Sequence, residues 1–192
     1  RGSCAAFEPQ SRWDLHEVRA LAERDGDSWV IDGEKSVVLD GDAADAYIVT
    51  AGTSLFLIDA TTPGVSVHGF PTIDDRRCAD VRFAGVRVDD SCRVGAPGEG
   101  LAIAEWALDQ GLAALAAEAV GCMERLTELT CEYLATRKQF GVAIGTFQAL
   151  QHRAADMRIA VEQARALALA AAAHVEGDDR TAQRRAVSAA KA

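Results

Sequence analysis

The chain has 192 residues, 49% of them apolar and 26% charged, with a formal net charge of −9. That length and apolar share exclude a disordered polymer and allow one large or two small domains. Residues 1–97 carry 10 basic and 17 acidic groups and residues 98–192 carry 10 and 12, so the acidity belongs to the first half and no basic stripe marks a nucleic-acid surface. The longest apolar tract, Ala166 to Ala173, is too short to span a bilayer, and Arg1-Gly-Ser-Cys lacks the apolar core of a signal peptide. Five cysteines (Cys4, Cys78, Cys92, Cys122, Cys131) show no metal-ligand spacing. Reduced thiols in a cytoplasmic protein without a metal site are the expectation, with Cys122 in the core.

Residues 1–97 read as mostly β. Short β-rich runs near Glu17–Glu23, Trp29–Ile31, Lys35–Leu39, Ala46–Thr50, Ser54–Asp59, Val65–His68 and Cys78–Val88 alternate with turn clusters, the spacing of a small antiparallel barrel or sandwich. Asp32-Gly33, between two such runs, is the clearest hairpin signal because both residues tolerate positive φ. The stretch Val94-Gly-Ala-Pro-Gly-Glu-Gly100 is punctuated enough to end a module. The predicted domains are therefore 1–97 and 98–192.

From Leu101 the hydrophobic period becomes helical. Leu112, Leu115, Ala119, Cys122, Leu126, Leu129 and Tyr133 recur every three or four residues, which predicts one buried face of a long helix. Ala113, Ala117 and Gly121 form a second face of small residues, suited to close approach by another element. The stretch Arg137–Met157 reads as a corner: Gly141 stops the first helix, and Gly145-Thr146 provides a break and an N-cap hydroxyl. Phe147, Leu150, Ala154, Met157, Val161, Ala164 and Ala168 then form the stripe of a second helix reaching about Val175. Asp178 or Asp179 caps a third, which stops at Lys191-Ala192 without a C-cap and reads as a truncated element. The predicted class is α+β: a small antiparallel β-barrel or sandwich, then long antiparallel helices of an incomplete four-helix bundle.

The corner carries a longer pattern. Arg137-Lys-Gln-Phe-Gly141, Ile144, Phe147-Gln148, His152 and Ala155-Asp156-Met157 resemble the R-x-x-F-G…I…F-Q…H…A-D-M signature of acyl-CoA dehydrogenases. Glu8-Pro9 followed by Asp14 resembles the segment opening that family's middle β domain, and Trp29-Val-Ile-Asp-Gly-Glu-Lys35 resembles a hairpin within it. Within the family the chain looks most like small subunits of pimeloyl-CoA dehydrogenase and of actinobacterial heteromeric enzymes acting on steroid side chains.

The resemblance implies FAD-dependent α,β-dehydrogenation of an acyl-CoA, in a homo- or hetero-oligomer whose FAD is shared across a subunit interface and reoxidised by electron-transfer flavoprotein. It implies that Arg137 contacts the pyrophosphate of a neighbour's FAD, and that Phe140 and Gln148 meet its adenine and ribose side. Read from the residues alone, Arg137 could equally offset the negative end of a helix, and Phe140 could be a buried aromatic closing the corner. His152 has no partner in the pattern that would make it a base. Phe7, Val37 and Leu39 occupy positions that in the family face the flavin as Thr or Ser and as the W-x-T of the following strand. Trp13 occupies a position that in the family is a Ser lining the acyl-CoA pocket. These departures remove hydrogen bonds to a flavin and add bulk. Asp109 matches a family Asp near the substrate pocket. No catalytic residue is found: the helix position that carries the base in a minority of members is Gly111, beside Leu112 in place of an Arg. Two other functions share the fold, a non-catalytic structural subunit and a flavin monooxygenase.

Overall fold

The β-rich runs of the first half form β1 (Gly2–Ala5), β2 (Leu21–Asp25), β3 (Ser28–Leu39), β4 (Ala46–Ala51), β5 (Ser54–Asp59), β6 (Val65–Pro71), β7 (Arg77–Asp89) and β8 (Arg93–Val94). A computed structural model describes residues 1–177 and 179–191, which cluster into two units, Arg1–Trp106 and Ala107–Ala192. In the first unit the strands make two four-stranded sheets, ordered β1-β4-β5-β8 and β2-β3-β7-β6. One sheet turns Ala5, Tyr47, Val49, Phe56 and Ile58 inward and the other Ile31, Val38, Val81, Phe83 and Val86, into a single apolar cluster. The class is α+β as expected, with one exception to antiparallel order: β1 runs parallel to β4.

The expected Asp32-Gly33 hairpin is absent. Trp29–Ile31 and Lys35–Leu39 belong to one strand, and the turn lies earlier, at Gly26-Asp27, where Asp25 pairs with Ser28 and Gly26 takes φ 65°. Asp32-Gly33 instead makes a bulge, with a register shift against β7 between Ile31 and Gly33. Asp32 Oδ1 accepts from the Gly85 amide at 2.8 Å. A Cβ on Gly33 would stand 2.5 Å from the Ala20 Cβ, so the glycine serves close approach rather than turning. The strand expected from Glu17 begins only at Leu21, because the Arg19 and Ala20 amides leave the ladder to bond the carboxylate of Glu8.

That carboxylate meets Lys35 in the middle of the unit. Lys35 Nζ lies 2.7 Å from Glu8 Oε1 and 2.8 Å from the Thr50 hydroxyl, with both charged side chains buried. Glu8 Oε2 accepts from Gln10 at 2.6 Å and from the Arg19 amide at 2.9 Å. Burial pushes the Glu8 carboxyl up, but Lys35 and the Ala20 and Arg19 amides outweigh it and hold it below its ordinary value. Burial lowers the Lys35 ammonium, which Glu8 only partly restores.

In the second half, α1 (Gly100–Thr136) is 37 residues long, β9 (Lys138–Gln139) and β10 (Val142–Ala143) follow, and α2 (Gln148–His174) and α3 (Arg180–Lys191) complete the chain. α1 and α2 run antiparallel: Gln110 donates to the Val175 carbonyl at 2.9 Å, and Glu124 pairs with Arg165. The long-helix stripe is not the buried face. Leu115, Leu126 and Tyr133 are 57%, 60% and 58% exposed, and Cys122 is exposed as well. Ala113, Val120 and Thr127 are buried instead, and Ala113 packs in one apolar cluster with Ala171, Val175 and Val187. The α2 stripe faces inward at Val161 and Ala168, with Ala171 buried beyond it, while Phe147 at its start is 37% exposed.

Asp179 caps α3, accepting from the Thr181 and Ala182 amides at 2.9 and 3.0 Å; Asp178 lies outside the described residues. Gln183, fully buried, donates to the Val175 carbonyl and accepts from Arg180, tying α3 to the end of α2. Among the described residues no helix is long and apolar enough to cross a membrane and no metal-type cluster occurs.

Replacing Lys35 with Met should cost the protein about 3–5 kcal/mol, because it leaves a buried carboxylate unpaired, read from urea unfolding at neutral pH. The Glu8 carboxyl binds its proton more weakly folded than unfolded, so its contribution is full above the unfolded value of about 4.5 and is lost as pH falls through the lower folded value. Glu8→Gln should therefore flatten the acid side of the stability curve. An unchanged slope below that pH would contradict the account.

Candidate functional site

Two places hold the residues singled out in the sequence. In the second unit, the corner between α1 and α2 is built differently from a helix stop at Gly141. α1 ends at Thr136, and Val142 pairs with Gln139 and Ala143 with Lys138, which leaves Phe140-Gly141 as a two-residue hairpin turn. Both take positive φ, 53° and 82°, as a type I′ turn demands. Thr146 does not cap α2. Its hydroxyl donates back to the Ala143 carbonyl at 2.7 Å, and the N-cap position is Phe147. Gly145 is needed for packing: a Cβ there would meet the Leu134 carbonyl oxygen at 2.9 Å, so the segment folds back tightly under the end of α1.

This corner leaves its chemistry outward. Arg137, Phe140 and Gln148 are all exposed, and Phe140 reaches 93%. The buried-aromatic reading of Phe140 is thereby corrected; its ring meets Phe147 edge to face with centroids 6.3 Å apart. Among the described residues neither the Arg137 guanidinium nor the Gln148 amide has a hydrogen-bond or ion-pair partner. A guanidinium fork, an amide and an aromatic face left free on one rigid corner can bind a phosphate-bearing aromatic ligand.

In the first unit, Phe7, Trp13 and Val37 meet. They line one recess of about 160 Å³ with Glu8, Pro9, Arg12 and Ser36. Trp13 stands edge to face with Phe7, centroids 5.3 Å apart, and is 66% exposed. Three of these residues hold left-handed backbones, Arg12 at φ 46°, Trp13 at 76° and Val37 at 54°, which for a β-branched valine is strained. The Ser36 amide donates to the Phe7 carbonyl at 2.9 Å, and the Ser36 hydroxyl to Asp80 at 2.6 Å, so the two walls are stitched together. Leu39 does not line the recess; it is 54% exposed further along β3.

Asp109 is buried on α1 with Oδ2 unbonded among the described residues, beside Leu112 in a groove bordered by Arg184, Arg185 and Lys191 of α3. Gly111 is exposed, with nothing within 4 Å of where a Cβ would be, and holds no base. His152 is exposed on α2, in keeping with a solvent-facing role.

The sequence reading passed over the Glu8–Lys35 pair as chemistry. A signal was present: Lys35 shares an inward face with Ile31, and a lysine inside an apolar face demands a carboxylate partner. Gln183 gave none, since a glutamine on a polar helix is ordinarily solvated.

A family model described as acyl-CoA dehydrogenase, C-terminal domain, matches residues 98–192. An L-prolyl-[peptidyl-carrier protein] dehydrogenase of a Serratia species is 32% identical over 91% of this chain and 49% of its own length. The short-chain specific acyl-CoA dehydrogenase of Bos taurus mitochondria is also 32% identical, over 89% of this chain and 44% of its own. The solved structure of PigA with FAD and proline superposes with a TM-score of 0.92 at 30% identity, over 99% of this chain and 52% of that one. The chain thus spans about half the length of the curated relatives it matches.

Phe140→Asn should raise stability by roughly 1 kcal/mol, because asparagine tolerates the left-handed backbone that a bulky residue strains, measured by chemical denaturation of the protein. A fall in stability would mean that the Phe140 ring packs within the chain after all.

Proposed function

The chain belongs to the acyl-CoA dehydrogenase family, and from that premise we propose that it is a subunit of a flavin-dependent enzyme desaturating an acyl thioester at the α,β carbons. Its contribution is part of an FAD site formed across a subunit interface. The observation that carries this reading is the exposed corner of Arg137, Phe140 and Gln148, in which, among the described residues, the guanidinium and the amide have no hydrogen-bond or ion-pair partner. The donor set fits the dinucleotide end of FAD. Arg137 offers a fork to the diphosphate, Gln148 an amide to the ribose side, and Phe140 an aromatic face to the adenine. Bound FAD supplies the hydride acceptor of the reaction. The residues of this chain hold and orient it, and Gly111 gives the long helix no base at that position.

The acyl carrier is coenzyme A by analogy with the mitochondrial relative, or a carrier protein by analogy with the Serratia one. Electron-transfer flavoprotein is the expected acceptor, and the partner at the interface is a second copy or a related subunit. A second reading, a structural subunit without a flavin of its own, is favoured by one observation: Phe7, Trp13, Val37 and Leu39 present no side-chain hydrogen-bond donor besides the indole N–H.

In the assembled full-length protein, Arg137→Ala should weaken FAD binding at least tenfold, the loss expected for a charge-assisted bidentate contact. Bound flavin is read from the visible absorbance after gel filtration. Retention of the wild-type FAD content would contradict the cofactor-sharing reading and favour the structural one.

A further inference from the structure

The stripe expected to be core on α1 lies on its outer face. Leu115, Ala119, Cys122, Leu126, Leu129 and Tyr133 are all exposed, so neither α2 nor α3 covers them. Their spacing alternates strictly between four and three residues. That is the seam of a heptad repeat, with Ala119, Leu126 and Tyr133 at one of its two apolar positions and Leu115, Cys122 and Leu129 at the other. Folded proteins seldom leave a continuous apolar row in water without a use for it. A seam of this period fits one kind of neighbour, a second helix lying along it.

The order of residues along the seam makes it its own complement. Laid antiparallel on a second copy, with the two-fold axis passing between Ala119 and Cys122, Leu115 stacks on the partner subunit's Leu126 and Ala119 on the partner subunit's Cys122. Leu129 then reaches the partner subunit's Leu112. Large meets large, and the small pair at the centre lets the helices approach. Each contact recurs with the copies exchanged, as an isologous interface requires. The flanks agree. Glu118 and Arg125 each precede a seam residue, which sets Glu118 beside the partner subunit's Arg125 on both sides of the axis. Among the described residues Glu118 has no hydrogen bond or ion pair, and Arg125 Nη1 meets Glu128 of its own helix at 2.9 Å. Ala116 and Met123 face each other on the opposite flank. A parallel alignment would instead set Glu118 against Met123 and Arg125 against Thr130, leaving both charges unmatched, so the charge order selects the antiparallel one.

We propose that α1 pairs antiparallel with α1 of a second copy along this seam, so that the chain associates with itself as a two-fold dimer. Between a second copy and a related subunit as the partner, this selects the second copy, and it requires no flavin. The leucines supply affinity by leaving water. Glu118 and Arg125 set direction and register, since ion pairs at the rim of an interface add little affinity but discriminate against wrong alignments.

The test uses the full-length protein without added flavin, its subunit dissociation constant read by analytical ultracentrifugation over a dilution series. Leu126→Glu should raise that constant roughly a hundredfold, because the charge enters the seam twice, while leaving the far-ultraviolet circular dichroism unchanged. Glu118→Arg and Arg125→Glu should each raise it about tenfold. Combining the two restores opposite charges across the axis and should return the constant to within about threefold of wild type. Ala119→Cys faces the partner subunit's Cys122 and should give a covalent dimer on mild oxidation, which adding Cys122→Ser should abolish.

A wild-type monomer, or an assembly indifferent to Leu126→Glu, would overturn the proposal, the second result meaning that something other than a second α1 lies on the seam. No recovery in the double exchange, with no cross-link from Ala119→Cys, would overturn the antiparallel register. The flavin reading is tested apart from this. Loss of FAD in Arg137→Ala with indifference to the seam variants would sink the seam alone, whereas seam pairing as described with FAD fully retained in Arg137→Ala would sink the cofactor-sharing corner alone.

Discussion

The ion pair of Glu8 and Lys35 is the constraint on which the first unit depends. Two buried charges gain stability only when their remaining hydrogen-bonding capacity is met. Here the carboxylate takes Lys35, the Gln10 amide and the Arg19 and Ala20 backbone, and the ammonium adds Thr50. Meeting those demands dictates local structure. It pulls residues 19 and 20 out of the β2 ladder, sets the turn from Glu8 to Asp14, and fixes β3 at Lys35. Phe7 precedes Glu8, and Ser36 and Val37 follow Lys35, so both walls of the recess are neighbours of the pair. The polar lock beneath and the apolar wall above are one device.

The second unit is joined by an apolar cluster of Ala113, Ala171, Val175 and Val187 and by the Glu124–Arg165 pair between α1 and α2. Gly145 lets the connecting segment pass under the Leu134 carbonyl. The type I′ turn then projects Phe140 away from the helices. That ring is almost wholly exposed and meets Phe147 edge to face. Arg137 and Gln148, at either end of the same corner, are exposed as well.

The class and the order of elements were legible in the sequence because they rest on period: alternation in the β half, a three-to-four repeat in the helical half. The α2 stripe and the Asp179 cap follow from such local rules. The readings that failed had tertiary causes. Asp32-Gly33 has the chemistry of a turn, but Ala20 packs against the glycine and Gly85 takes the aspartate, so the pair became a bulge. The Leu115–Tyr133 stripe has the period of a core face, yet Ala113, Val120 and Thr127 on another face are the buried residues, and period alone cannot choose between the faces. Arg137, Phe140 and Gln148 were found through a motif. Their exposure, and the joining of Phe7, Trp13 and Val37 in one recess, depend on tertiary folding that no local pattern encodes.

On the proposed reading, the outward corner with its guanidinium and aromatic ring is this chain's contribution to an FAD site. The corner is the central claim. It is tested most directly by amide hydrogen exchange on the full-length protein, stripped of flavin and then reloaded with FAD. The account predicts that FAD slows exchange across Lys138–Ala143 and the first turn of α2. Protection confined to other segments, with the corner exchanging at the same rate in both states, would contradict it.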